Sequence, residues 1–188
     1  MCPIDFDTTP DYLHPDTRNV IDEFKGLPTE EIKRRINRHH FSIACFNVER
    51  SLHIGTIIRL SNSFAAARFI YIGRRKFNIA SSVGTHHFEN MVHCADVSDF
   101  FKFCERENLT PIAIDYIPGR SIDIIEVPKY PENPVLIFGS EASGLSNEML
   151  ERCKFHYHIG MFGSVRSFSV GQAAAIMCFD WRMKHLPK

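Results

Sequence analysis

No stretch of this chain approaches the roughly 20 consecutive apolar residues of a membrane-spanning helix, and the opening MCPIDFDTTPDYLHP holds no apolar signal-type run. The expectation is a protein that does not engage a membrane. The six cysteines (2, 45, 94, 104, 153 and 178) form no CxxC pair. Ten histidines include doublets at 39–40 and 86–87, but no Cys/His set has zinc-site spacing, so no metal is expected. Several cysteines sit in apolar runs (IACF, MVHCA, IMCF), which reads as reduced, buried thiols of a cytoplasmic protein. Net charge is missing too: 22 Lys+Arg balance 22 Asp+Glu, so any basic surface must be local. No GxxxxGK(S/T) occurs and no GxGxxG follows a strand-like run, which argues against a P-loop and against an ordinary dinucleotide site. Internal repeats and low-complexity tracts are absent.

What is present is an ordinary globular composition, 44% hydrophobic and 23% charged, over 188 residues, enough for one domain with a sizeable core. Residues 1–27 are polar and broken by Pro3, Pro10, Pro15 and Gly26, and read as an irregular arm. PTEEIKRRINRHH (28–40) predicts a short helix capped by Thr29, with Glu30 and Glu31 in its first turn and Lys33, Arg34, Arg35 and Arg38 toward its end. Those cations either complement the helix dipole or touch RNA; the pattern leaves both open. From 41 onward strands and helices alternate. Strands are predicted at 41–46, 68–73, 91–95, 110–115, 134–139 and 155–160. Helices are predicted at 53–67, 98–108 (capped by Ser98), 146–153 and 169–184, with a helical turn at 78–84 and a loop from 116 to about 134. On the first long helix Ile54, Ile57, Ile58, Ser61 and Ala65 share a face, and Arg59 lies about 140° from Ile54, off that face. The alternation predicts an α/β sandwich with a mainly parallel sheet over 41–188, preceded by the arm and short helix over 1–40.

Ligands in such sheets bind beyond the carboxyl ends of strands. Two loops qualify. SEASGLS follows VLIFG and holds Glu141 between Gly139 and Gly144. IGMFGSVRS (159–167) leaves the last strand with Gly160, Gly163, Arg166 and Ser167, and leads into the final helix at Ser169. Each can be no more than a tight connection, and Arg59 no more than a surface arginine. GRRK (73–76) gathers Arg74, Arg75 and Lys76, either as a phosphate track with Arg59 and Arg166 or as a solvated turn.

HIGTIIRLSNSFAA, PVLIFGSEASGLS and IGMFGSVRSFSVGQAAAI resemble, in order and spacing, the three motifs of the SpoU (TrmH-like) RNA ribose 2′-O-methyltransferases of the SPOUT superfamily. The resemblance covers about residues 41–184. It implies a deep trefoil knot near the C-terminus, a bent S-adenosylmethionine held by the last two motif loops and released as S-adenosylhomocysteine, and a homodimer. It also implies methyl transfer to a ribose 2′-hydroxyl of structured RNA. The lack of an obvious separate RNA-recognition domain favours tRNA over rRNA. Position by position, Arg59 matches the motif-one arginine that binds RNA phosphate and helps activate the hydroxyl. Glu141 matches the glutamate that organises the site, and Ser167 the motif-three serine. Ile114, Gly139, Ile159, Ser167 and Phe168 match the cofactor wall. Arg59, Arg74, Arg75, Lys76 and Arg166 are the expected RNA contacts.

Three positions depart from the pattern. His53 stands for an asparagine six residues before Arg59, Gly160 for a proline, and Ser169 for the asparagine that ends motif three. An amide side chain donates and accepts at once, whereas a hydroxyl is shorter and has one donor. With Arg59, Glu141 and Ser167 read as catalytic, Ser169 becomes the fourth catalytic position. The two lost amides leave a second reading open: a catalytically weakened RNA-binding or assembly protein on the same fold.

Overall fold

The structure, a computed structural model, describes residues 18–73 and 80–186. Among the described residues seven strands form one sheet: β1 (His39–Phe46), β2 (Ala66–Ile72), β3 (Met91–Cys94), β4 (Thr110–Ile114), β5 (Ile122–Asp123), β6 (Pro134–Phe138) and β7 (Phe155–His158). Every pairing is parallel, in the order β3-β2-β1-β6-β4-β7-β5. Parallel strands covered on both faces read as near-continuous apolar runs, and β6 is buried along its whole length.

Among the described residues five helices accompany the sheet: α1 (Thr29–Arg35), α2 (Ser51–Ser63), α3 (Val97–Arg106), α4 (Asn147–Arg152) and α5 (Val170–His185). Strand side chains alternate between two cores. On one face Ile43, Leu136 and Phe138 join Ile54, Ile57 and Ile58 of α2 and Ala174, Met177 and Trp181 of α5. On the other, Ala44, Val135 and Ile137 join Phe100 and Cys104 of α3 and Met149 of α4. This is the expected sandwich. α5 is also tied to the chain between β5 and β6: the Tyr130 hydroxyl donates to Asp180 (2.7 Å), and Lys184 Nζ donates to Asp180 and to the Ile124 carbonyl, both at 2.6 Å. The five described cysteines are buried and unpaired. Burial pushes the thiols of Cys94, Cys153 and Cys178 up to about 12.

Several boundaries differ from the sequence-based expectation. α1 ends at Arg35, its N-cap is Pro28 without a side-chain bond, and His39 and His40 already belong to β1. The basic run is divided. Arg34 and Arg35 fold back onto Glu31 (2.8 and 2.6 Å), and Arg38 turns inward. α2 stops at Ser63 rather than 67, because Ala65 takes a positive φ of 48° and Ala66 opens β2. α3 is capped by Asp96, not Ser98: Asp96 accepts from Asp99 N–H, and Asp99 accepts from Ala95 N–H. The loop expected between 116 and 134 contains β5 and a 3-10 turn over Ile124–Glu126.

The inward turn of Arg38 builds a buried polar knot behind α2. Arg38 donates to the Ala66 and Phe88 carbonyls and to Glu89, which also accepts from Ser61 (2.9 Å) and Asn62 (2.7 Å). Burial raises the Glu89 carboxyl above its ordinary value, against the pull of Arg38 and of those two donors. Removing one partner of such a pair leaves the other charge buried and uncompensated. Glu89→Gln should lower unfolding free energy by about 3 kcal/mol, read as a drop in the urea midpoint at unchanged slope.

Candidate active site

The carboxyl ends of β4, β6 and β7 open onto one cavity of about 490 Å³. β6 delivers the first wall. Gly139 approaches Gly144 so closely that a Cβ at 139 would strike the Gly144 backbone. Ser140 and Gly144 exchange backbone hydrogen bonds of 3.2 and 2.9 Å, and Gly144 closes the loop at φ 65°. The Ser140 and Ser143 hydroxyls share a 2.7 Å bond across it. Glu141 projects from this closed loop. β7 delivers the second wall. At Gly160 the Asp123 carboxylate fills the space that a Cβ would need, while its other oxygen accepts from Ile125 N–H at 3.2 Å. A proline at 160 would displace that carboxylate, so the glycine and Asp123 go together.

The third wall is the start of α5. Ser169 is its N-cap, and with Gln172 it forms a capping box: Ser169 Oγ accepts from Gln172 N–H, and Gln172 Oε1 accepts from Ser169 N–H at 3.1 Å. Ile114, Gly139, Glu141, Ile159, Arg166, Ser167, Phe168 and Ser169 all line the cavity, so the structure gathers these eight sequence-predicted positions. Arg59 is not among the lining residues. It is exposed on α2, six residues and about 9 Å of helix axis beyond His53. Arg74, Arg75 and Lys76 lie outside the described residues.

The cavity also holds residues that were not singled out for a role: Arg50, Asp115, Tyr116 and His158. Arg50 is the N-cap of α2, Asp115 and Tyr116 directly follow β4, and His158 ends β7. The rule that ligands bind beyond strand carboxyl ends was the signal that could have found the last three.

His53 Nε2 lies 3.7 Å from Glu141 Oε1, with the two side chains 20% and 24% exposed. Burial first, and the Glu141 charge second, push the Cys45 thiol far above its ordinary value, so it contributes no thiolate. His158 Nδ1 is buried without a hydrogen-bond partner among the described residues, and the Tyr116 ring meets His158 edge-on at 5.0 Å. An orphaned ring nitrogen in such a wall fits a ligand that brings a polar partner, and the volume suits a nucleoside-sized molecule.

A family model described as the SpoU rRNA Methylase family matches residues 40–179. The tRNA (cytidine/uridine/adenosine-2′-O-)-methyltransferase TrmJ of Pseudomonas aeruginosa (strain UCBPP-PA14) is 39% identical over 51 residues, 27% of this chain and 20% of that protein. Among solved structures, the A. aeolicus TrmH/SpoU tRNA modifying enzyme superposes with a TM-score of 0.72 at 18% identity, covering 83% of this chain and 81% of that one. The AdoMet-bound rRNA methyltransferase from Sinorhizobium meliloti gives 0.70 at 21% identity, covering 83% and 61%. The match thus spans a fifth of the curated relative and about three-fifths of the Sinorhizobium chain. At these identities the structural likeness speaks to the fold, a parallel-sheet methyltransferase fold.

The capping box makes Ser169 a structural residue whatever else it does. Ser169→Ala should cost about 1 kcal/mol of unfolding free energy, whereas Ser169→Asn, also a strong N-cap, should stay within a few tenths. Thermal unfolding of the two variants side by side checks this.

Proposed function

The chain belongs to the SpoU rRNA methylase family, and from that premise we propose that it transfers the methyl group of S-adenosylmethionine to a ribose 2′-hydroxyl of structured RNA in the cytoplasm. The observation that carries the reading is the meeting of both motif loops, Glu141 and the start of α5 at one cavity beyond three parallel strands. When bound there, the cofactor supplies a methyl group on a sulfonium that departs as a neutral thioether.

The chain's own residues then have separable tasks. Ile114, Gly139, Ile159 and Phe168 wall the cofactor, and the orphaned His158 nitrogen takes a polar partner from it. Ser167 and Glu141 border the place where the acceptor must lie. Arg166 and Arg50, at the cavity, and Arg59, exposed on α2, are permanent cations suited to RNA phosphates. Contact between Arg59 and the phosphate beside the acceptor holds the ribose in line with the methyl group, a positioning effect on which misplacement by about 1 Å costs on the order of 10²-fold. Arg74, Arg75 and Lys76 are proposed as further RNA contacts on their charge alone. A transfer RNA is favoured over a ribosomal one, because the curated relative matched over 51 residues is named for tRNA 2′-O-methylation.

Two further elements belong to the proposal. Phe162, Val165 and Phe168 are exposed apolar residues on one cavity loop, Phe162 almost completely (99%), which supports a homodimer that covers them. The chain is also expected to be knotted near its C-terminus. The insertion of β7 between β4 and β5, and the ties from α5 to the segment between β5 and β6, support this.

Mapping ribose methylations in cells with the gene deleted tests the reading. One or a few sites should vanish and return with the wild-type gene, while Arg59→Ala should restore at least tenfold less, within the roughly 10²-fold scale of positioning losses. Absence of any lost ribose methylation contradicts the reading; full restoration by Arg59→Ala contradicts the role of Arg59 alone.

A further inference from the structure

Methylating a ribose hydroxyl requires its proton to leave, and the hydroxyl is scarcely ionised at neutral pH. We propose that His53 takes that proton, with Glu141 orienting the ring and balancing the imidazolium that forms; the inference rests on the function proposed above. Sequence alone presented His53 as a missing asparagine. The geometry assigns it a task that an amide cannot perform, since an amide has no titratable lone pair near neutrality.

The charged and titratable groups that line the cavity together with His53 are Arg50, Asp115, Tyr116, Glu141, His158 and Arg166. Arg50 and Arg166 remain protonated and accept nothing. Asp115 stands at the end of β4, where Oδ1 already accepts from Tyr116 N–H at 2.9 Å. His158 is packed edge-on against Tyr116 at the end of β7. Cys45, which feels the Glu141 charge, is held as a thiol by its burial. Arg59 points to solvent and lines no part of the cavity.

His53 lies between the start of α5, where glycine leaves the Nδ1 edge uncovered by a side chain, and the Glu141 loop. It sits in the first turn of α2, and Nδ1 is 3.8 Å from where a Cβ on Gly171, in the first turn of α5, would stand. On its other edge Nε2 faces Glu141 Oε1 at 3.7 Å. That separation is ion-pair distance for a charged imidazole, and catalytic contacts that are long without substrate shorten in the complex. The ring therefore stands at the cavity wall between a helix start and a carboxylate, three residues from Arg50 and six from Arg59.

The step balances without another reactant. The ribose oxygen forms its bond to the methyl carbon as the carbon–sulfur bond breaks. The electron pair of that bond stays on sulfur, which becomes a neutral thioether. The hydroxyl proton passes to Nδ1 of His53, the ring nitrogen not turned to Glu141, and the positive charge lost from sulfur reappears on the imidazolium beside Glu141. Water then removes the proton. A positioned general base contributes on the order of 10²–10⁴ in rate.

The test uses the full-length protein, methyl-tritiated S-adenosylmethionine and unfractionated small RNA from cells lacking the gene. Wild type should transfer label, with a rate that rises as the pH is raised. His53→Gln should fall about a hundredfold in kcat and lose that rise, with KM for RNA little changed. Calorimetric binding of S-adenosylhomocysteine should be unaltered in His53→Gln, and millimolar imidazole should partly rescue His53→Ala. Wild-type rates in His53→Gln with the same pH rise would overturn the proposal while leaving the function standing. So would loss of S-adenosylhomocysteine binding in step with the rate, or a pH rise that survives in His53→Gln but disappears in His158→Asn. No transfer by wild type to any RNA would overturn the function and this inference together.

Discussion

β6 is hydrogen-bonded between β1 and β4, two strands that precede it in the chain, and the rest of the molecule follows from that insertion. Whatever follows β6 must emerge between the start of α2, which follows β1, and the end of β4. β7 repeats the device one strand further out, between β4 and β5. The two loops after these strands therefore converge, and α5 closes the space from the α2 side. Side chains far apart in sequence reach one cavity because the sheet order brings their strand ends together. Such pairings close long loops before any contact is gained, so they are entropically costly and depend on the apolar runs buried on both sheet faces.

Within that frame the cavity is shaped by backbone approach more than by large side chains. Gly139 admits the Gly144 backbone, and the resulting closed loop carries Glu141. Gly160 admits Asp123, which in turn holds the short turn after β5. Read alone, Gly160 is a change of loop stiffness; in the fold it is half of a pair. The same holds for Ser169, whose hydroxyl and Gln172 together start α5. Two departures from the family pattern thus have local structural partners in this chain.

Much of this was legible from the sequence where its causes are local. Apolar runs marked β1, β6 and β7, the α2 stripe Ile54, Ile57, Ile58 and Ser61 is buried, though its expected fifth member Ala65 lies beyond the helix end, and the angle that put Arg59 off that stripe matches its exposure. The misses are non-local. The end of α1 depends on Arg38 reaching Glu89, fifty-one residues on. α2 ends where Ala66 must pair with His39, a partner that no helical window contains. β5 has two residues, too few for any period, and exists because β7 lies beside it. At the site, the motif loops could be recognised as motifs, but Arg50, the adjacent Asp115 and Tyr116, and His158 share no common local pattern; the fold brings them to one cavity.

His53 is where these strands of argument meet. It is a departure in sequence, a paired side chain in structure, and the group at the cavity that faces a carboxylate. Its proposed role presupposes that this cavity delivers a methyl group to a ribose oxygen. The most direct measurement of that delivery is to label small RNA with the purified protein and methyl-tritiated S-adenosylmethionine, digest it to nucleosides and find where the label resides. The account predicts that it elutes with 2′-O-methylnucleosides; label on a base, or none in RNA while the protein binds the cofactor, would contradict it.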